Sequence, residues 1–162
     1  MIQDGSRQTL QCEMFNLTEG KSRIGIDAKD EYGNGYELKT SSVASVSLAR
    51  DIGMKHINKW LELNWIFSKW DAKGSKFITH YFAKVGQLDS FFLPIKERLE
   101  RRQEMVDRIK GSELFSLDEG PELEKMMKRC TTLYCSDCFL KWKTVDELAT
   151  RVDAWEDIEK CL

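Results

Sequence analysis

No apolar run in this sequence approaches the roughly 18 residues that a membrane-spanning helix needs, which argues against a membrane partner. The opening stretch MIQDGSRQTLQ is polar and lacks the apolar core of a signal peptide, so the expected location is the cytoplasm. Net charge is also scarce: 25 Lys and Arg against 27 Asp and Glu leave −2. A balance of that kind excludes binding nucleic acid by bulk positive charge, while leaving room for local basic surfaces. Histidine is limited to His56 and His80, and there is no internal repeat or low-complexity tract. Five cysteines, an odd number without a secretion signal, point to reduced thiols or a metal site more than to a disulfide framework.

What is present suits one folded domain. The 162 residues are 41% hydrophobic and 32% charged, the balance of an ordinary globular protein with a real core. The pattern predicts a short helix over 6–16, capped by Ser6, with Leu10, Met14 and Phe15 turned inward. Two strands, IGIDAKD and YELKT, flank the EYGNG turn, where Gly33, Asn34 and Gly35 are expected to supply positive φ angles. A helix across LARDIGMKHINKWLELN follows, then an aromatic-rich hairpin, WIFSKWDAKGSKFITHYFAKV, turning at Asp71 to Ser75. From Pro94 the chain reads as helical, with Pro94 near a first turn and Gly111 as a stop. Further helices are expected after Asp118 and from Thr144, which stands in capping-box spacing with Glu147. The expected organisation is a core over 1–93, carrying the first hairpin, and a helical C-terminal part of the same domain over 94–162.

The stretch GIDAKDEYGNGYELKT, residues 25–40, carries the chemistry. Residues at i and i+2 of a strand share a face, so Glu37 and Lys39 point one way and Leu38 the other, into the core. Antiparallel pairing brings Asp27 beside them. Charged residues alternating on a surface hairpin are common decoration, but two carboxylates, the Leu38 carbonyl and a lysine also suit phosphodiester hydrolysis. Hard oxygen donors are what Mg²⁺ prefers, and an ammonium nearby can orient a water or stabilise developing negative charge.

An Asp, a spacer and then Glu-x-Lys resembles the signature of the PD-(D/E)xK nuclease superfamily. The longer form DAxDxxGxxYELK, followed by a helix ending in Lys59 and Trp60, the strand WIF and Trp70, resembles the PvuII-type type II restriction endonucleases over residues 20–74. The resemblance implies an α/β (α+β) fold of restriction-endonuclease type, with a mixed central sheet flanked by helices and a helical C-terminal extension. It implies Asp27 and Glu37 as metal ligands, with the Leu38 carbonyl, and Lys39 as the catalytic lysine. In the wider superfamily a glutamate on the first helix supports the metal, and Glu13 is the candidate here. The sequence departs from these enzymes where consecutive histidines read bases: SLARDIGMKHIN stands there instead. Target sequence and mode of dimerisation therefore do not carry over.

Arg50, Lys55, His56, Asn58 and Lys59, after the catalytic strand, are the candidates for contact with DNA phosphates or base edges, or else a solvated helix face. His80 reads as structural. The mixed charges after Pro94 read as a solvated face with i,i+4 pairs, and the tryptophans mostly as core. Cys130, Cys135 and Cys138, spaced Cys-x4-Cys-x2-Cys, together with Cys161 could enclose a structural Zn²⁺, form a redox pair or be ordinary buried residues. The expected function is Mg²⁺-dependent cleavage of double-stranded DNA at a short specific sequence, by a homodimer or by a nuclease paired with a second subunit. The alternative is a non-catalytic, zinc-stabilised interaction module.

Overall fold

A computed structural model describes residues 4–21, 25–112, 120–134 and 138–162. Its centre is a mixed six-stranded sheet in the order β1-β2-β3-β6-β7-β10. The strands are β1 (Thr18–Glu19), β2 (Ala28–Lys29), β3 (Gly35–Ser41), β6 (Asn64–Asp71), β7 (Lys76–Ala83) and β10 (Thr150–Val152). Only β3 and β6 run parallel, Leu38 pairing with Ile66, and their crossover contains helix α2 (Met54–Trp60). A parallel pair needs such a connection, because a tight turn can join only antiparallel strands. Two small ribbons complete the strands: β4 (Ser45–Ser47) with β9 (Phe139–Lys141), and β5 (Asp51–Ile52) with β8 (Leu133–Tyr134).

Alternation along the strands builds two cores on opposite faces. On one face Trp65, Phe67 and Ala83 pack under Ile57 and Trp60 of α2 and Phe92, Ile95 and Leu99 of α3 (Asp89–Lys110). On the other, Tyr36, Leu38, Ile66 and Phe82 meet Cys12 of α1 (Asp4–Met14), Phe15 just after it, and Trp155 and Ile158 of α6 (Trp155–Glu159). Each side chain of this size, taken fully from water, contributes about 1.5–3 kcal/mol. Trp60, Trp65 and Trp70 are all buried, as the sequence suggests.

Several expectations change. Helix α1 begins at Asp4, ahead of Ser6, and buries Gln11 and Cys12, while Leu10 and Met14 face outward; Phe15, just past the helix, is buried as expected. Helix α3 begins at Asp89, so Pro94 lies inside it rather than in its first turn. The C-terminal part is not purely helical. Helix α4 (Gly120–Cys130) forms after Asp118, but the expected helix from Thr144 is divided into α5 (Trp142–Leu148), β10 and α6. Strand β10 closes the edge of the central sheet, Arg151 pairing with Tyr81, and β9 pairs with β4. The alternation of Thr150, Arg151 and Val152 is too short to register as a strand; a free edge of β7 makes it one. Of the turn residues expected at positive φ, only Gly33 has it, at 86°.

Candidate active site

The β2–β3 hairpin is held by Asp30 more than by its ladder. Asp30 Oδ1 accepts the Tyr32 and Asn34 main-chain N–H groups, each at 2.9 Å. Its Oδ2 accepts the Asn34 amide and the buried Tyr36 hydroxyl, each at 2.8 Å. Burial opposes the charge on Asp30, but these four hydrogen bonds outweigh it and hold the carboxyl below the usual carboxylate range. Gly20 fixes the other side: its N–H donates to the Asp27 carbonyl at 2.7 Å, and a Cβ there would lie 2.1 Å from the Ile26 carbonyl oxygen. Only glycine permits that approach.

Asp27 immediately precedes Ala28, which pairs with Tyr36, and so stands at the start of the hairpin close to Glu37 and Leu38. Asp27 Oδ2 accepts the Leu38 N–H at 2.9 Å. Glu37 is buried and sits between two cations: Lys39 Nζ is 3.1 Å from Oε1, and Lys59 Nζ is 3.3 Å from Oε2. The second contact lies outside hydrogen-bond geometry, so the buried Oε2 has ion-pair attraction without a hydrogen bond. Burial first, and the Glu37 charge second, push the Asp27 carboxyl above its usual range, against the Leu38 N–H and the two lysines. The site thus concentrates negative charge that its own hydrogen bonds do not fully satisfy.

Asp27, Leu38 and Lys39 line a cleft of about 300 Å³ with Gln8, Gln11, Thr40 and Ser47. The glutamines come from α1, and the sequence reading did not select them. Gln11 is fully buried; its Nε2 donates to Ser68 Oγ at 2.7 Å and to the Lys39 carbonyl at 3.3 Å. Ser68 Oγ lies 2.7 Å from His80 Nδ1, which gives that histidine the structural place expected of it. The available signal was the stripe of Gln8, Gln11, Cys12 and Phe15, which shares one helical face. Beside it burial, reinforced by Glu19 and Asp27, pushes the Cys12 thiol up to about 11 and keeps it protonated.

Glu13, the expected supporting ligand, is exposed and lines a separate surface cleft with Leu10, Met14, Trp70 and Lys76. Helix α1 presents Gln8 and Gln11 to the Asp27 cleft, because Cys12 and Phe15 set which face packs inward. Arg50, Lys55, His56 and Asn58 are exposed, the last three on α2. His56 Nδ1 also accepts the Gly53 N–H at 3.3 Å and so helps cap that helix. Lys59 instead turns onto Glu37 and donates to the Gly25 carbonyl at 2.7 Å.

The zinc cluster that these cysteines could have formed is absent among the described residues, where no group of three or more His, Cys, Asp or Glu converges. Cys138 is buried in the α2–α3 core, Cys161 packs against the opposite core, and Cys130 is exposed on α4; Cys135 lies outside the described residues. The sheet separates Cys138 from Cys161, and a tetrahedral site tolerates no such separation.

Mg²⁺ is a different matter. Two carboxylates converge beside the Leu38 main chain, one of them carries an oxygen without a hydrogen bond, and the other is crowded by its neighbour's charge. A set of hard oxygen donors, one of them buried without a hydrogen bond, fits a hard divalent cation.

A mixed sheet with helices on both faces, and an Asp and a Glu-x-Lys strand at a cleft, defines the restriction-endonuclease-like class of nucleases. Residues 1–113 match the family described as restriction endonuclease PvuII, more than half of the chain, and the protein belongs to that family. No curated protein matches the chain. Membership makes DNA the substrate and hydrolysis of its backbone the reaction class, in a family whose enzymes generally depend on a divalent metal. Among the described residues, no helix is long and apolar enough to cross a membrane.

Proposed function

We propose that the protein is a Mg²⁺-dependent type II restriction endonuclease that cuts double-stranded DNA at a short specific sequence. The observation that carries this reading is the convergence of Asp27, Glu37 and Lys39, with Asp27 and Lys39 lining the cleft and Glu37 Oε2 buried beside them without a hydrogen bond. Asp27, Glu37 and the Leu38 carbonyl would hold the ion, which supplies Lewis acidity at the scissile phosphate and a more acidic water.

The chain's own residues do the rest. The Leu38 N–H holds the Asp27 carboxylate in its orientation, and β3 places Glu37 and Lys39 on one face without a flexible loop between them. Lys39, anchored on Glu37 at 3.1 Å and partly exposed to the cleft, orients the attacking water or offsets the charge that gathers on the phosphate. The exposed side chains of Arg50, Lys55, His56 and Asn58 meet the DNA backbone or base edges. One such site cuts one strand, so a double-strand break takes two copies related by a two-fold axis, or a second nuclease subunit.

Incubation with plasmid and genomic DNA is expected to give discrete fragments with Mg²⁺ and none with chelator. Unsized degradation, or cutting in chelator, would refute the reading. Undiminished cutting by Lys39→Ala would remove Lys39 from its role.

A further inference from the structure

Glu37 is buried between two lysines that reach it from different elements. Lys39 is two residues along the same strand and meets Oε1. Lys59 comes across from α2 and meets Oε2, the oxygen without a hydrogen bond, while its third of exposed side chain leads out to the surface where Lys55 and Asn58 stand. Its ammonium also donates to the Gly25 carbonyl, two residues before Asp27. One side chain therefore ties α2 to both segments that carry the carboxylates.

Two cations cannot share one carboxylate oxygen without strong mutual repulsion in a poorly solvated site. A buried carboxylate stripped of every cation is equally unfavourable. Alternation between Lys59 and a metal ion at Oε2 would resolve the conflict. We infer that Lys59 is a placeholder cation: it neutralises Glu37 when no metal is bound and must leave Oε2 for a divalent ion to enter. Lys59 is then a positioning residue that keeps the metal-free site folded and weakens metal binding by competition. The inference rests on the functional reading above, since it concerns the same ion.

Lys59→Met keeps the length and apolar stem of the side chain and removes the charge. With Mn²⁺ as the probe, titrated by calorimetry into DNA-free protein, Lys59→Met is expected to bind about tenfold tighter than the native chain, within the usual range of coupling between interacting sites. In chelator the same variant is expected to melt lower than the native chain, and Mn²⁺ is expected to raise its melting temperature by the larger increment. Lys59→Arg keeps the charge and is expected to bind Mn²⁺ much as the native chain does. Should Lys59→Met fail to fold in chelator, recovery of a folded spectrum on adding Mn²⁺ supports the inference and failure to recover overturns it.

Equal or weaker Mn²⁺ binding by Lys59→Met also overturns it, and leaves Lys59 as a structural tie only. If the native chain binds Mn²⁺ and cuts DNA while Lys59→Met gains no affinity, this inference alone falls. If neither protein binds Mn²⁺ and the native chain does not cut, the functional reading falls with it.

Discussion

The two hairpins of the central sheet are built on different physics. In β6–β7 each strand has eight residues, and pairing runs from Trp65 with Ala83 to Asp71 with Lys76. Its side chains fill both cores: Phe67 stacks on Trp65 at 5.5 Å on one face, and Ile66 and Phe82 are fully buried on the other. In β2–β3 only two register pairs form, Ala28 with Tyr36 and Lys29 with Gly35. What the second hairpin lacks in ladder it replaces with side-chain ties: Asp30 across the turn, Asp27 to the Leu38 N–H, and Lys59 from α2. A long apolar hairpin serves as scaffold. A short one held by polar ties presents buried charge that the scaffold alone would never tolerate.

If that division holds, substitutions in the two hairpins should fail in different ways. The largest effect is expected from Lys39→Ala, which should slow DNA cleavage by about 10³-fold or more while lowering the melting temperature less than loss of a core aromatic does, because Lys59 still faces Glu37. A comparable loss of stability and activity together would blur the contrast. Phe67→Ala, in the scaffold hairpin, should cost about 3–5 kcal/mol of stability by denaturant titration, because Phe67 is fully buried and the cavity cannot collapse. Asp30→Ala should cost about 2–3 kcal/mol, leaving the Tyr36 hydroxyl buried without its acceptor. It should also reduce cleavage, since the turn orients β3.

Asp27→Asn sharpens the comparison from the other side. The Asp27 carboxyl is pushed above its usual range, so the folded chain holds that proton to a higher pH than the unfolded chain does. Ionisation therefore penalises the folded state: the penalty is absent below the ordinary value of 3.8 and complete once pH exceeds the folded value. In chelator at neutral pH, Asp27→Asn should be more stable than the native chain. The gain should vanish as pH falls below that ordinary value, and cleavage should be lost throughout. A destabilised variant at neutral pH would mean that the Leu38 hydrogen bond, not the desolvated charge, dominates at Asp27.

How much of this was legible in the sequence differs by region. The β2–β3 hairpin was, because a period of two and an Asp-to-Glu-x-Lys spacing are local properties of sixteen residues, 25–40. The second hairpin was legible for the same reason. Helix α1 was found but turned to the wrong face: Leu10 and Met14 look like core, yet Gln11 displaces them because Ser68, far along the chain, offers its side chain a buried partner. Glu13, taken from the resemblance alone, stands exposed at another cleft. The C-terminal strands escaped notice because β8, β9 and β10 are two or three residues each and exist only where β5, β4 and β7 leave an edge to pair with. The cysteines were close in sequence at one end, but Cys138 and Cys161 are placed by two different cores.

By itself, then, the sequence determined strand β3, the face that Glu37 and Lys39 share, and the turn that returns Asp27 to them, all through covalent geometry and short-range alternation. Tertiary structure alone decided which face of α1 borders the cleft, that β10 completes the sheet, and that Lys59 meets Glu37 rather than solvent. Those outcomes depend on where distant segments supply burial, a free edge or an opposite charge, and no local pattern records such partners.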